Sequence, residues 1–351
     1  MTSVSNQQTP VHFQHSTNLP GLLDQLGISL LISTYQAGKT FTVGSFQEKL
    51  QIRFHHFDHA MGLARTKDGL AIGTRREIWF LDAALSLSAK ISPPGTYDAC
   101  FLTKGCHYTG PIMSHEMACA DGELWIINTL FSCICLINPG THFEPRWKPT
   151  FISGLAPEDR CHLNGLGIKN GKPEFVTALG QSNSPSGWRE KKANGGVLVH
   201  IPSNELICNQ LCMPHSPRWH MDKLWFLNSG HGTLCTVDQN SGKLTEVISL
   251  PGYTRGLDFY GKYAFVGLAR IRETAVFGSV PIAKHRDDLK CGLAIVNLES
   301  GRLEATLFFQ NGVEEIFEVK TLPGFRNPIL GGPRPDSDEL DPIWVTEPSD
   351  L

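Results

Sequence analysis

The chain has 351 residues, 41% of them hydrophobic and 19% charged, with a formal net charge of −3. That composition fits a folded globular protein and excludes a disordered one. The near-balanced charge leaves no electrostatic footprint for nucleic acid or anionic lipid. No apolar run approaches the roughly 20 residues that a membrane helix needs.

Residues 1–18 read as a polar, disordered lead without the charged start and apolar middle of an export signal. A short turn is expected over 19–26. Beyond it, helical periodicity is nearly absent. Short apolar or alternating runs are punctuated by Gly, Pro, Asn and Asp, which is the pattern of an all-β protein. The ten cysteines sit mostly inside such runs, as in Cys133-Ile134-Cys135-Leu136-Ile137. There is no Cys-x-x-Cys pair. Reduced, structural thiols and a cytoplasmic location are therefore expected.

The strands repeat. The stretch from His115 to Asn128 parallels the stretch from His215 to Asn228, and in both a His precedes the Leu-Trp pair by nine residues. His59-Ala60-Met61-Gly62-Leu63 and His162-Leu163-Asn164-Gly165-Leu166 start two more units, and Thr254-Arg255-Gly256-Leu257 starts a fifth. Each unit holds four short strands, with Asp-Gly or Asn-Gly turns at Asp68, Asp121 and Asn170. A period of 40–56 residues with four strands each is propeller spacing. Five units run from His59 to about Gly312. The leftover strands, 29–34, 39–45, 50–54 and 316–322, make one more blade from both chain ends and close the ring. The expected fold is a six-bladed β-propeller over 19–330, followed by an acidic, Pro-rich tail over 331–351.

In a propeller the first strand of each blade lines the central channel. His59, His115, His162 and His215 then fall at matching positions on one rim. Neutral imidazole is the commonest protein metal ligand, and it suits iron, copper, zinc and nickel. The expectation is one transition-metal ion held by these four histidines, iron or copper ahead of zinc. Glu315 or Glu314 would act as a further ligand or orienting acceptor. Arg255 holds the equivalent position of the fifth unit and would grip an anionic substrate group. The alternative for the histidines is structural hydrogen bonding between strands and turns.

Long segments fall on the same face: 88–114 and 145–161 between outer and inner strands, and 181–195 and 269–290 between second and third strands. Loops grouped on one face of a rigid scaffold mark a binding face. Trp188, Arg189, Arg270, Arg272, Arg75 and His231 are the substrate-binding candidates there. The expected activity is oxidoreductase-like, on a small and possibly anionic substrate. One alternative is a non-catalytic propeller that binds a protein or peptide on this face. Another is a lactonase-like hydrolase or lyase, kept open by Asn164 and Asp258. Neither nucleic acid nor membrane is expected as a partner. A G-x-S-x-G elbow is absent, and Gly38-Lys39-Thr40 lacks the first Gly of a phosphate loop.

Several stretches carry a resemblance: 33–39 (Ser-Thr-Tyr-Gln-Ala-Gly-Lys), 155–166, 187–190 (Gly-Trp-Arg-Glu), 214–220, 311–317 and 322–328. Over about 30–330 the chain resembles a bacterial family of conserved hypothetical proteins, which implies a propeller and no particular activity. The four-His idea is similar to carotenoid oxygenases, seven-bladed propellers that hold iron with four His. That is an analogy of architecture alone.

Overall fold

A computed structural model describes residues 10–271, 279–338, 340, 341, 343 and 345. It is a six-bladed β-propeller. Blade 1 is Leu63–Arg65, Gly69–Gly73, Glu77–Ala83 and Ala99–Tyr108, from the channel outward. Blade 2 runs from Ser114–Ala120 through Glu123–Asn128 and Cys133–Asn138 to Thr141–Trp147. Blade 3 follows with Leu163–Lys169, Lys172–Ala178, Gly196–His200 and Glu205–Leu211. Blade 4 is Pro214–His220, Lys223–Asn228, Thr233–Val237 and Leu244–Ser249. Blade 5 is Tyr253–Tyr260, Tyr263–Ala269, Cys291–Asn297 and Arg302–Phe309. Blade 6 is shared by the chain ends: Glu318–Pro323 is its inner strand and pairs antiparallel with Ile28–Thr34, followed by Lys39–Phe46 and Lys49–His56.

The middle strands read as continuous apolar runs because each blade is sandwiched between two others. Successive side chains of a strand point to opposite faces, and here both faces are core. Ile126 packs toward blade 1 and its neighbour Ile127 toward blade 3. Phe226 and Leu227 divide in the same way between blades 3 and 5. Cys133 and Cys135 fill the core between blades 1 and 2 as small hydrophobes, and burial pushes their thiol pKa values up. All ten cysteines are free thiols.

The repeated Gly-Leu has a steric cause. A Cβ on Gly62 would stand 3.0 Å from Glu116 Cα, and one on Gly256 would stand 2.8 Å from Glu318 Cα. Gly62 stands just ahead of the inner strand of blade 1 and Gly256 lies in that of blade 5, and each is pressed against the next blade's inner strand. Gly256 also has φ +77°. Gly256→Ala adds about 1–3 kcal/mol of backbone strain to that clash, so its melting temperature falls sharply. Gly105→Ala is the control, since nothing lies within 4 Å of its Cβ.

Three expectations from the sequence change. Residues 1–18 are not simply a lead: Phe13–His15 adds a strand to the outer edge of blade 5, and Leu19, Leu22 and Leu23 of the helix Leu19–Leu26 enter the core between blades 5 and 6. The tail beyond 330 is partly anchored. Pro328–Gly331 pairs parallel with the outer strand of blade 1, and Asp338 accepts hydrogen bonds from the His56 backbone N–H (2.9 Å) and ring Nδ1 (2.7 Å). Finally, 88–114 is not one long loop, because it contains the outer strand Ala99–Tyr108.

Candidate functional site

The inner strands begin at a tight corner in the left-handed region: His59 (φ 50°), Met113 (φ 56°), His162 (φ 50°) and Met213 (φ 51°). Counted from that corner, the four histidines are two pairs rather than four equivalents. His59 and His162 stand on the corner, whereas His115 and His215 follow it by two residues and enter the strand. Alignment on the glycines places Arg255 with the second pair. His-x-x-Gly and Met-x-His begin units of the same shape, and only the backbone reveals the two-residue offset.

The structure brings three of the imidazoles together. The ring of His115 lies 5.3 Å from that of His162 and 5.7 Å from that of His215. His59 is elsewhere: its Nδ1 is 2.6 Å from Asp58, its ring packs edge-on against Tyr35 at 4.9 Å, and its side chain is one-third exposed.

The hydrogen bonds fix the tautomers. His162 Nδ1 lies 2.9 Å from the Asp159 carboxylate and therefore carries the proton. Asp159 is steadied by the indole N–H of Trp188 at 3.0 Å, and the Trp188 ring packs on His162 at 4.5 Å. His215 Nδ1 donates to Met213 O at 2.9 Å. His115 Nε2 must accept, because its partner at 2.9 Å is the guanidinium of Arg255. Its remaining nitrogen bonds the Asn164 backbone. In its neutral form each imidazole thus carries its proton on Nδ1 and its lone pair on Nε2. That lone pair is engaged in His115 and has no partner among the described residues in His162 and His215.

Arg255 is the hub. It donates to Glu315 at 2.8 Å, and its guanidinium stacks 3.5 Å above the Phe317 ring. Arg255 Nε and Glu315 Oε2 are buried with no hydrogen-bond partner. Solvent reaches the cluster through His162, Arg255 and Glu315, whose side chains are 14%, 13% and 16% exposed. Burial, helped by the charge of Arg255, holds His115 and His215 well below the ordinary 6.5. Burial likewise lowers His55 on blade 6.

These shifts set an acid limit. Below about pH 6.5 the unfolded chain takes up protons that the folded imidazoles refuse, so stability falls as pH falls. Glu116 works the other way: burial raises its carboxyl from 4.5 to about 7, and its contribution fades as pH rises through that range. Three histidines outweigh one carboxyl, leaving up to about two protons, each roughly 1.4 kcal/mol per pH unit. The urea midpoint should therefore rise between about pH 5 and pH 6.5.

The four histidines of the expected metal centre do not all meet. A cation already sits on His115 Nε2, and His59 is outside the cluster. Among the described residues no group of three or more His, Cys, Asp or Glu side chains is arranged to hold a metal ion. Asn164 and Asp258, on which the lactonase-type alternative rested, are both engaged in hydrogen bonds. Asp258 accepts from the backbone and hydroxyl of Thr321 at 2.8 Å each. Asn164 donates to Pro214 O at 2.9 Å and accepts from Thr177 at 2.6 Å.

The remaining candidates scatter. Arg189 lies over the Trp188 ring at 4.5 Å. Arg270 donates to Phe309 O at 3.1 Å, and its backbone N–H bonds Glu314 O at 3.0 Å. Arg75 and His231 are exposed. Arg272 lies outside the described residues.

A charged belt beneath the rim escaped sequence reading. Arg218 of blade 4 pairs with Glu116 and lies 3.5 Å from Glu318. Lys320 lies 3.4 Å from Glu318, and Arg65 lies 3.8 Å from Asp258. The only signal was charge inside inner strands, where Glu116 directly follows His115.

Residues 17–330 match a family described as a domain of unknown function, DUF4915. The chain belongs to this family. A search of curated proteins finds no relative of this DUF4915 chain. Solved structures show the shared architecture. A chain of the nidogen/laminin complex superposes with TM-score 0.52 at 10% identity, over 85% of this chain and 98% of that one. A Bacteroides caccae protein of unknown function gives 0.49 at 10% identity, over 84% and 98%. Staphylococcus aureus virginiamycin B lyase in complex with quinupristin gives 0.43 at 11% identity, over 85% and 99%. At such identity the likeness is one of fold.

Proposed function

We propose that the rim cluster is an acid–base site that moves a proton on a small carbonyl compound. One observation carries this reading. The Trp188–Asp159–His162 chain presents an oriented Nε2 in the same cluster as His115 and its partner Arg255, where Arg255 Nε and Glu315 Oε2 are buried without hydrogen-bond partners. A carboxylate behind an imidazole holds its tautomer and stabilises the charge it acquires.

His162 Nε2 takes a proton from the carbon next to the carbonyl. The C–H electron pair moves into the carbonyl, giving an enolate whose charge the Arg255 guanidinium offsets. Reprotonation from His162 completes an exchange or an isomerisation. Glu315 and the neutral His115 fix the guanidinium between them. This reading replaces redox chemistry at a four-His metal ion with chemistry that the arrangement around Arg255 supports.

The test is solvent exchange. The protein is incubated in deuterium oxide with a panel of 2-oxo acids, aldehydes and ketones, and the loss of α-proton signal is followed by NMR. At least one compound should exchange well above the buffer rate. His162→Ala should abolish the gain, and prior dialysis against EDTA should leave it unchanged. No enhanced exchange across the panel, or exchange that survives His162→Ala, would sink the proposal.

A further inference from the structure

Resting on the acid–base reading of the rim, we propose that its substrate is a carbonyl compound bearing an aromatic ring, and that Tyr35 is the side chain that selects for the ring.

Six rings follow one another at the channel mouth. Trp188 packs on His162 at 4.5 Å, His162 on His115 at 5.3 Å, and His115 on Phe317 at 4.8 Å. Phe317 then lies 6.0 Å from Tyr35, and Tyr35 lies 4.9 Å from His59. All these spacings fall in the range where aromatic rings attract one another. The rings come from blades 3, 2, 6 and 1, so the row exists only in the folded ring of blades.

Exposure divides the row. Trp188 and Phe317 are buried, whereas Tyr35 is 36% exposed and the His59 side chain 33%. The proton-moving end is therefore sheltered, and a bare aromatic face stands at the open end. Phe317 joins the two: it touches the Arg255 guanidinium at 3.5 Å on one side and Tyr35 on the other. The polar grip and the exposed ring thus lie within reach of one small molecule.

Tyr35 is also set in place. It opens the turn between Ile28–Thr34 and Lys39–Phe46 of blade 6. In that turn the Gly38 N–H donates to Tyr35 O at 3.3 Å, and Gly38 O accepts from the Phe57 N–H at 3.1 Å. The Phe317 N–H donates to Ser33 O at 2.8 Å, which ties the segments carrying the two rings together. A ring held in advance loses little freedom on binding. An aryl group laid on it gains both apolar burial and ring contacts, and an alkyl group of a few carbons gains less of the first and none of the second.

Calorimetric titration of the full chain with 2-oxobutanoate and with 2-oxo-4-phenylbutanoate tests this, because the two share the carbonyl end and differ by the ring. The phenyl compound should bind at least about tenfold more tightly. Tyr35→Ala should remove most of that preference and leave 2-oxobutanoate unchanged. Tyr35→Phe should keep the preference, because the ring and not the hydroxyl makes the contact. If Tyr35→Ala fails to fold, Tyr35→Leu takes its place. In the exchange assay the same loss should raise KM for the phenyl compound and spare kcat. Equal affinity for the two compounds, or an equal loss of both in Tyr35→Ala, would overturn the ring site and leave the acid–base reading standing. A Tyr35-dependent phenyl preference without proton exchange would support the ring site and overturn that reading instead.

Discussion

Arg218→Ala is expected to destabilise the protein by about 3–5 kcal/mol, the range for removing one partner of a buried charge network. One side chain here ties five inner strands. It rises from blade 4, donates to Leu166 O of blade 3 and Leu257 O of blade 5 at 3.0 Å each, and pairs with Glu116 of blade 2 and Glu318 of blade 6. Alanine leaves two carboxylates, each about 2% exposed, without the guanidinium they share. Among the described residues, Lys320 then remains beside Glu318. Arg218→Met combined with Glu116→Gln should recover much of the loss, because an apolar and neutral replacement removes the uncompensated charge. Urea unfolding of both variants checks this. A loss below about 1 kcal/mol for Arg218→Ala would show that the belt does not hold the ring together.

Asp159→Asn should slow the proposed exchange by about 10²–10⁴-fold without unfolding the chain. Asparagine matches the shape of the carboxylate, but it cannot stabilise an imidazolium, and its amide can hold His162 in the opposite tautomer. Trp188→Phe should act in the same direction and more weakly. It keeps most of the ring beside His162 and removes only the indole N–H that steadies Asp159. The discriminating result is rate loss with circular dichroism unchanged. Equal rates in Asp159→Asn and wild type would make the carboxylate a structural cap for its turn.

The scaffold was legible for a plain reason. Blade strands pack on both faces, so each repeat writes a short apolar run, a turn and a second run. His115–Asn128 and His215–Asn228 display that pattern in full. Ring closure followed from counting what was left over, since Ile28–Thr34 and Glu318–Pro323 had no other partners. Over Leu19–Leu26 only a turn was readable, where the structure has an α-helix.

The site was legible only in part. Sequence similarity aligned four histidines, but a repeated letter does not fix where a side chain sits relative to a backbone corner. The corner falls on His59 and His162 and two residues ahead of His115 and His215. Of the corner pair, His162 reaches the cluster, held there by Trp188 and Asp159 from the surrounding loops, while His59 binds its neighbour Asp58.

By itself the sequence determined the ring: its six blades and its two-ended closing blade. These depend on burial patterns and turns that act over a few residues. Only the tertiary structure decided the chemistry, because Arg255, His115, Glu315 and His162 are far apart in the chain and meet across the channel. Which nitrogen keeps its proton, and whether a cation already occupies a lone pair, are set by that meeting and not by any local pattern.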